Sequence, residues 1–302
     1  METAIAGIKT PDSSIPTPTP YEIIHTLHTT RTGEPFTEII DRSPHFVVGL
    51  SRLTDSLTSN TTATDREISD TDRQQLERLF FGKRRIPAFY VPVEERTERL
   101  RGSLITQGYG IGMTDAWLTA GADILARPEL LETNDPTLSV REVETDEDLR
   151  TFVNLLDVVR LGETDPDKDC DEFLDEELMT TLSAMRKLVQ SSRGHCLIVD
   201  KVHNVGTRSF VLPAAVAAVA VRGTVAYISN VATHPLQRNA GCARTVIAAA
   251  LRMSSEACRL ASLLDVEPIV CLATDPNGKA YKTFINMGFE HRFTAQNFVL
   301  GL

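Results

Sequence analysis

Apolar and polar positions in the second half of the chain predict strands and helices in turn. Apolar runs rich in β-branched residues predict strands at 138–143, 194–202, 210–221, 224–231 and 268–273, with a loop at 203–208. Helical spacing predicts a helix that opens with a capping box at Thr145–Asp148, another from about Glu176 to Gln190, and a third after Gly241. This alternation predicts an α/β domain over residues 138–302.

The first half shows a weaker form of the same pattern. Residues 1–20 are rich in Thr, Pro and Ser, and we expect a mobile arm because they bury little apolar surface. An N-terminal α/β domain is predicted over 21–130, followed by a boundary rich in proline and glycine at 120–136. Its predicted elements are a helix at 21–30, a strand at 46–48, a polar loop at 51–72, a helix around Leu76 and Phe80, a strand at 86–93 and a helix at 94–106.

One stretch, residues 224–250, carries the strongest candidate binding chemistry. A strand ends at His234–Pro235, and a short polar loop then leads into an alanine-rich helix. Such a junction presents unpaired backbone N–H groups and the positive end of a helix dipole, which together bind anions. A glycine lets a ligand approach the backbone, small residues keep side chains clear, and two arginines add positive charge. The predicted anion-binding residues are Arg238, Asn239, Ala240, Gly241, Cys242, Ala243 and Arg244.

The spacing of this loop, Arg-x-x-Gly-x-Ala over residues 238–243, resembles the pyrophosphate-binding loop of the GNAT acyltransferases, the Gcn5-related N-acetyltransferases. The loop matches neither G-x-G-x-x-G nor the P-loop fingerprint. A second match lies downstream in the family's order, where Asn277-x-x-Ala280-x-x-Thr283-Phe284-x-x-Met287-Gly288-Phe289 resembles the family's last motif. The resemblance implies the GNAT fold, a mixed and mostly antiparallel central sheet flanked by helices, for residues 138–302.

The end of the first half echoes the end of the chain. A strand, a helix and LITQGYG at 104–110 parallel a strand, a helix and FINMGFE at 284–290. We interpret the first half as a degenerate copy of the same lobe; the alternative is coincidence, since this junction is a common one. The first half has no Arg-x-x-Gly-x-Ala loop, so we predict that it stabilises its partner, or walls a substrate cleft, without holding pyrophosphate.

The resemblance also implies an activity, namely transfer of an acyl group, usually acetyl, from acetyl-CoA as cosubstrate to a primary amine. In that family the fourth strand separates from the fifth, and the pantetheine arm pairs with the exposed backbone. The pyrophosphate would lie on N–H groups between Asn239 and Arg244. The residues that would hold the arm here are Val231, Ala232, Thr233, Asn277, Ala280 and Phe284.

The catalytic residues follow the family less closely. Attack needs a neutral amine, so a base or a water chain must take its proton. Tyr227 stands where some GNAT members hold a glutamate base, and the alternative is an ordinary strand aromatic; Ser229 and Asn230 could order a water instead. Phe284 replaces the family's usual tyrosine acid and has no proton to give. Tyr281 lies three residues before it.

Composition and charge narrow the function classes. The 302-residue chain has a net charge of −10, which argues against binding nucleic acid through its phosphates. No signal sequence is evident, and the longest charge-free run, 209–221, is too short to span a bilayer, so a cytoplasmic location is expected. Five cysteines without C-x-x-C spacing indicate reduced thiols, and no metal site is expected.

The acidic segment at 163–177 has three interpretations. Its carboxylates follow the register of an EF-hand calcium loop, although Cys170 stands where that loop needs glycine. It could form an acidic rim that attracts a cationic amine. The preferred interpretation is a solvated loop with an acidic first turn for the next helix.

Three functions stay open at this point. The chain could be an N-acetyltransferase that acts on a small-molecule amine. Because of Phe284, it could instead be a CoA-binding module that does not acetylate. It could also be a protein-lysine acetyltransferase with the 51–72 loop as a docking segment. Fold alone does not choose among them, and the sequence leaves the oligomeric state open.

Overall fold

The computed structural model describes residue 23 and residues 38–42, 46–50, 60–132, 135–161, 171–191, 194–261 and 268–302. The predicted arm at 1–20, the predicted helix at 21–30 apart from Ile23, and most of the acidic segment at 163–177 lie outside these residues. The interpretations of the acidic segment therefore stay predictions. Within the described ranges, no helix combines the length and the apolar character needed to cross a membrane.

Strands and helices alternate along both halves of the chain. The strands are β1 (Glu38–Arg42), β2 (Phe46–Leu50), β3 (Thr61–Thr64), β4 (Ala88–Pro92), β5 (Tyr109–Ala120), β6 (Leu138–Glu142), β7 (Gly194–Val205), β8 (Arg208–Arg222), β9 (Val225–Thr233), β10 (Ile269–Thr274) and β11 (Phe289–Leu300). The α-helices are α1 (Asp70–Gly82), α2 (Glu98–Thr106), α3 (Ala122–Ala126), α4 (Asp146–Leu161), α5 (Asp171–Gln190), α6 (Cys242–Ala261) and α7 (Lys279–Asn286). Short 3-10 turns lie at Glu95–Thr97, Pro128–Leu131 and Pro235–Gln237.

These strands form one sheet in the order β1-β2-β3-β4-β11-β5-β10-β9-β8-β7-β6. The order shows that the two halves exchange their last strands. β5 ends the first half but lies between β10 and β11 of the second, and β11 lies between β4 and β5 of the first. The antiparallel β5–β11 ladder therefore joins the halves at the centre of the sheet.

The two halves repeat the same connections about this central ladder. In the first half β3 runs parallel to β4 with α1 between them, and α2 leads into β5. In the second half β9 runs parallel to β10 with α6 between them, and α7 leads into β11. Each closing helix is followed by a left-handed glycine, Gly108 at φ 87° and Gly288 at φ 99°. The similarity between the two sequence motifs therefore reflects a structural repeat. The first half repeats the strand and helix order of the second half.

Helices of both halves cover the same face of the sheet. Ala116 and Leu118 of β5 pack in the cluster formed with α6 and α7, whereas Trp117 packs on the opposite face. Thr294 pairs with Ala116, and Phe298, four positions further along β11, packs with residues of α1 and α2. The helices α1, α2, α6 and α7 therefore share one face, while α4 and α5 cover the other face over β7 and β8.

The predicted capping box opens α4. The Asp148 N–H donates to Thr145 Oγ1 at 3.1 Å, and the Thr145 N–H donates to an Asp148 carboxylate oxygen at 3.0 Å. Arg141 of β6 pairs with the same carboxylate, so the start of the helix is fixed to the edge of the sheet. The hydrogen bond from the Thr145 hydroxyl is the main reason that the pKa of Asp148 lies below its usual value.

Two predicted loops are wrong in part. The polar stretch at 51–72 contains β3, which is buried between β2 and β4, and α1 already begins at Asp70. Threonine favours strands because it is β-branched. Its hydroxyl is polar, however, and the polarity of the segment led to the prediction of a loop. The predicted loop at 203–208 is mostly strand, since β7 continues to Val205 and β8 begins at Arg208. The helix predicted from about Glu176 begins earlier, at Asp171.

We predict that the two halves unfold in one cooperative transition, because β5 and β11 are each bonded on both sides by strands of the other half. Trp117, the only tryptophan, lies in β5 at the centre of the shared sheet. Its fluorescence and the far-ultraviolet circular dichroism should give the same midpoint in a urea titration. Two separated midpoints would contradict the strand exchange.

Candidate functional site

The parallel strands β9 and β10 are paired over only part of their length. The last residues that pair are Tyr227 and Cys271. Beyond them β9 stays bonded to β8 as far as Thr233, whereas β10 continues along β5 through Leu272–Thr274. The strands therefore diverge, and the edge of β9 over 228–233 faces a gap. We call this gap the wedge.

An extra residue distorts β9 inside the wedge. Ser229 pairs with Ala218 and Ala232 pairs with Val216, so β9 takes three steps where β8 takes two. Asn230 has a left-handed backbone, with φ 52°, and marks this bulge. The bulge interrupts the regular alternation of backbone donors and acceptors. The predicted ligand-pairing residues 231–233 follow it directly on the open edge.

A tight turn closes the wide end of the wedge. The ring Nδ1 of His234 accepts a hydrogen bond from the backbone two residues on, at 3.2 Å, and the 3-10 turn Pro235–Gln237 follows. Asn239 and Gly241 have left-handed backbones, with φ 63° and 78°, and α6 begins at Cys242. A residue with a Cβ is strained at the φ of Gly241, which is why the turn places glycine there.

Within the described part of the chain, the backbone N–H groups of this turn have no backbone acceptor outside the regular elements. Thr245 is the first residue of α6 whose N–H bonds back along the chain, to the Gly241 carbonyl at 3.0 Å. Among the backbone hydrogen bonds of the described residues outside regular elements, none has its donor between Asn239 and Arg244. A run of unpaired donors at the start of a long helix forms an anion cradle. We call residues 239–244 the cradle.

Small residues keep the cradle open. Cys242 is buried, with Sγ 3.9 Å from the Ala240 carbonyl oxygen, and Ala240 and Ala243 pack against the core beneath α6. Burial raises the pKa of the Cys242 thiol, and the Lys201 ammonium opposes this shift. Lys201 of β7 therefore adds positive charge near the start of α6. Lys201 was not among the predicted site residues, because it lies far from the cradle along the chain.

The structure assigns the two predicted arginines different surroundings. Arg238 directly precedes the cradle and has an exposed side chain. Arg244 instead donates from its guanidinium to the carbonyls of Leu131 at 3.2 Å and Leu130 at 3.3 Å, in the segment that joins the halves. Only the backbone of Arg244 belongs to the cradle, and its side chain anchors the linker.

Beyond β10, the turn before α7 and the first turn of that helix carry two predicted ligand residues, Asn277 and Ala280. The Asn277 N–H donates to the Asp275 carboxylate at 2.9 Å, which shapes the turn. Asn277 and Ala280 both have exposed side chains, so they are accessible to a ligand.

Phe284 is a core residue in the free protein. Its ring is buried and lies 5.7 Å from the ring of Phe289, in an edge-to-face arrangement. Tyr281, one turn earlier on α7, packs against the ring of His291 at 6.1 Å. Of these two positions, only Tyr281 has a hydroxyl.

Tyr227 lies at the narrow end of the wedge, where it meets aromatic residues of the first half. Its ring is 5.6 Å from that of Trp117, whose indole N–H donates to the Tyr90 hydroxyl at 2.8 Å. The Tyr90 hydroxyl donates to Asp115 at 2.7 Å. Burial, and after it the Asp115 charge, raises the pKa of Tyr90 well above its usual value, so Tyr90 stays a donor at neutral pH. Strands β4 and β5 thus supply a wall beside Tyr227.

Ser229 and Asn230 lie next to Tyr227 along the same edge. Ser229 is two positions from Tyr227 and therefore shares its face of the sheet. The Asn230 amide donates to Ser229 Oγ at 3.4 Å and lies 3.8 Å from Met185 Sδ of α5. The three predicted catalytic candidates are thus together on the face opposite α6, between α5 and the aromatic wall.

The corresponding turn of the first half carries the opposite charge. α1 follows β3 as α6 follows β9, but the first turn of α1 holds Asp70 and Asp72. Asp65, in the turn itself, is buried and pairs with Arg96 at 3.1 Å. Carboxylates in these positions repel a phosphate. That this half does not bind pyrophosphate stays a prediction.

The histidines around the site are engaged in the fold. His195 Nδ1 lies 2.6 Å from the Glu142 carboxylate, and His203 Nε2 lies 3.1 Å from the Gln237 amide nitrogen. In the part of the chain that the structure describes, no group of three His, Cys, Asp or Glu side chains could hold a metal ion.

Solved structures share this architecture at low sequence identity. A protein of unknown function from Staphylococcus epidermidis has a TM-score of 0.62 and 13% identity, covering 88% of this chain and 95% of that chain. A GCN5-related N-acetyltransferase from Kribbella flavida has a TM-score of 0.60 and 15% identity, covering 92% and 94%. A tandem GNAT protein from the clavulanic acid biosynthesis pathway has a TM-score of 0.53 and 10% identity, also covering 92% and 94%.

No protein-family model matches the sequence, and no curated protein matches it. The structural similarity, together with the repeat, the wedge and the cradle, settles the fold. The chain has the fold of the GCN5-related N-acetyltransferases, built as two lobes in tandem that share one sheet.

Proposed function

We propose that the protein is an acyl-CoA-dependent N-acetyltransferase that moves acetyl from acetyl-CoA to a primary amine of a small molecule. One observation carries the proposal. The open edge of β9 leads directly into a cradle of unpaired N–H groups. An extended amide-containing arm that ends in a pyrophosphate matches both features.

The cosubstrate would use the two features in sequence. Its pyrophosphate would accept hydrogen bonds from the cradle, where the dipole of α6 favours negative charge. Its pantetheine arm would pair with the backbone of residues 231–233, as an added strand does at a free edge. Asn277 and Ala280 would border the arm, and the thioester would lie near the narrow end of the wedge.

The reaction there follows from the thioester. A neutral amine nitrogen attacks the carbonyl carbon, the C–S bond breaks, CoA leaves as a thiolate, and the amine gives up a proton. Backbone donors at the Asn230 bulge would stabilise the oxyanion. Tyr227, Ser229 and Asn230 lie together on the acceptor side, and we assign them the proton transfer through ordered water.

The first lobe would shape the acceptor side. Trp117, Tyr90 and Asp115 form a hydrogen-bonded wall beside Tyr227. The net charge of −10 favours the approach of a cationic amine to the protein. These features support a small amine as the acceptor class.

A second candidate function is a CoA-binding module that does not acetylate. Phe284 favours it, because this position lacks a hydroxyl and its ring is packed in the core against Phe289. Such a module would keep the wedge and the cradle and would bind CoA without turnover.

We predict that CoA and acetyl-CoA bind the wild-type protein and that Gly241→Trp weakens both by about tenfold or more. The indole would cover the cradle, and φ 78° would strain the turn. Isothermal titration calorimetry measures both effects.

Gly223→Trp is the matched control for this experiment. Gly223 also has a left-handed backbone, at φ 55°, but lies in open space in the β8–β9 turn, at the opposite end of β9 from the cradle. This variant should bind CoA as wild type does. If the Gly241 variant and wild type bound CoA with equal affinity, the cradle would not be the CoA-binding site.

We predict that the native protein shows at most one thiol that reacts rapidly with dithiobis(nitrobenzoate) at pH 7.5. Burial raises the pKa of Cys196 to about 12 and that of Cys258 to about 11, and it also raises the pKa values of Cys242 and Cys271. These thiols therefore stay protonated, and only Cys170, outside the described residues, is left to react. All five should react in denaturant; four fast thiols in the native state would show that the core is open.

Because at most one protein thiol reacts rapidly, the same reagent can measure the CoA thiol that acetyl transfer releases. The assay can therefore be run against a panel of amines. We predict that Phe284→Tyr raises kcat by about tenfold or more, because the hydroxyl supplies a proton to the departing thiolate. Phe289→Tyr, the same change on the neighbouring core ring, should give no gain. A protein that binds CoA but stays silent on every amine, with and without the new hydroxyl, would favour the non-acetylating module.

A further inference from the structure

The hairpin of β7 and β8 extends past the rest of the sheet. β6 follows β7 only as far as Lys201, and β9 follows β8 only from Ala215 onward. Residues between these points pair mainly with each other, around a turn at Gly206. We call residues 201–212 the ribbon.

One face of the ribbon lies toward the cradle. Leu197 and Val199 of β7 pack in the core cluster with α6, so Lys201 and His203, further along at the same spacing, share that face. His203 contacts Gln237 of the turn that leads into the cradle, at 3.1 Å, and the Lys201 charge acts on Cys242. The ribbon and the cradle are therefore neighbours.

Cross-strand pairing adds two further side chains to this face. Phe210 pairs with His203, and Arg208 pairs with Val205, so both point the same way as Lys201. Phe210 is 47% exposed, and Arg208 is exposed as well. An aromatic ring and two cations thus stand on one accessible surface beside an anion cradle.

The charge of the ribbon is opposite to that of the whole chain. Residues 201–212 contain no aspartate or glutamate, although the chain carries a net charge of −10. Asp135 lies within range of Lys201, and its carboxylate stays ionised because the N–H and hydroxyl of Thr137 bind it at 2.9 and 2.6 Å. Asp135 therefore offsets part of the Lys201 charge, and Arg208 is the main cation of this face. The surface is therefore complementary to an anion with an aromatic group.

We propose that this face of the ribbon binds the 3′-phosphorylated adenosine end of the CoA cosubstrate. The inference rests on the proposed function, since it places the end of the carrier that lies beyond the pyrophosphate. Arg208, with Lys201, pairs with the 3′-phosphate by charge-assisted hydrogen bonds, and Phe210 stacks on the adenine. The ribbon thus selects CoA over carriers that lack the 3′-phosphate.

The test compares CoA with dephospho-CoA, which lacks only the 3′-phosphate, by titration calorimetry on the full chain. We expect wild type to bind CoA about tenfold more tightly than dephospho-CoA. Arg208→Gln should lose that preference by weakening CoA alone. Phe210→Ser should weaken both ligands by a similar factor, because both carry adenine.

Val211→Ser is the matched control for Phe210→Ser. Val211 is 62% exposed on the opposite face of the ribbon, so its loss should leave both affinities unchanged. Arg259→Gln is the matched control for Arg208→Gln, because Arg259 is exposed near the far end of α6. This variant should also leave both affinities unchanged.

The outcomes separate this inference from the proposed function. Equal binding of the two ligands by wild type and Arg208→Gln, with tight CoA binding, overturns the ribbon assignment and leaves the function standing. A change in sedimentation of Phe210→Ser with unchanged affinities also overturns it and assigns the ribbon to contact with a second copy. Failure of wild type to bind either ligand overturns both.

Discussion

The pairing of β10 with β5 is the interaction on which the site depends. β10 leaves β9 after Cys271, and from there Leu272–Thr274 pair with Ala116–Leu118 of the first lobe. β5 bonds the edge of β10 that faces away from β9, so it holds β10 in the sheet where β9 has left it. The backbone groups of β9 and β10 that face the gap are not bonded by β5, and an added strand could pair with them. The strand exchange therefore positions β10 beside the wedge.

The exchange also explains what a lobe without a cradle contributes. The turn before α1 holds Asp65 where the second lobe has a chain of free N–H groups, so the first lobe is unsuited to bind phosphate. It supplies β5, which pairs with β10 on the side away from the wedge, and, through Tyr90 and Trp117, a wall beside Tyr227. Each lobe is incomplete alone, because the last strand of each lies between strands of the other.

Local chemistry was predictable from the sequence, but long-range pairing was not. The left-handed turn before α6 was recognisable from its glycine and small residues, while anion binding by that turn stays a prediction. The strand exchange left no local signal, since β5 and β10 are far apart in the chain. The polarity of Thr61–Thr64 concealed a strand, and 203–208 was predicted as a loop, so the ribbon and Lys201 were missed. Arg244 has the right position but bonds to carbonyls that only the fold brings near.

Hydrogen–deuterium exchange with and without CoA tests the central claim most directly, because it reports on the backbone edge itself. In the free protein the amides of residues 228–233 that face the wedge should exchange quickly, while the amides of 272–274 that bond to β5 stay protected. Addition of CoA should slow exchange at 228–233 and at the cradle, with little change along β5. CoA binding that leaves the exchange of 228–233 unaltered would contradict the account.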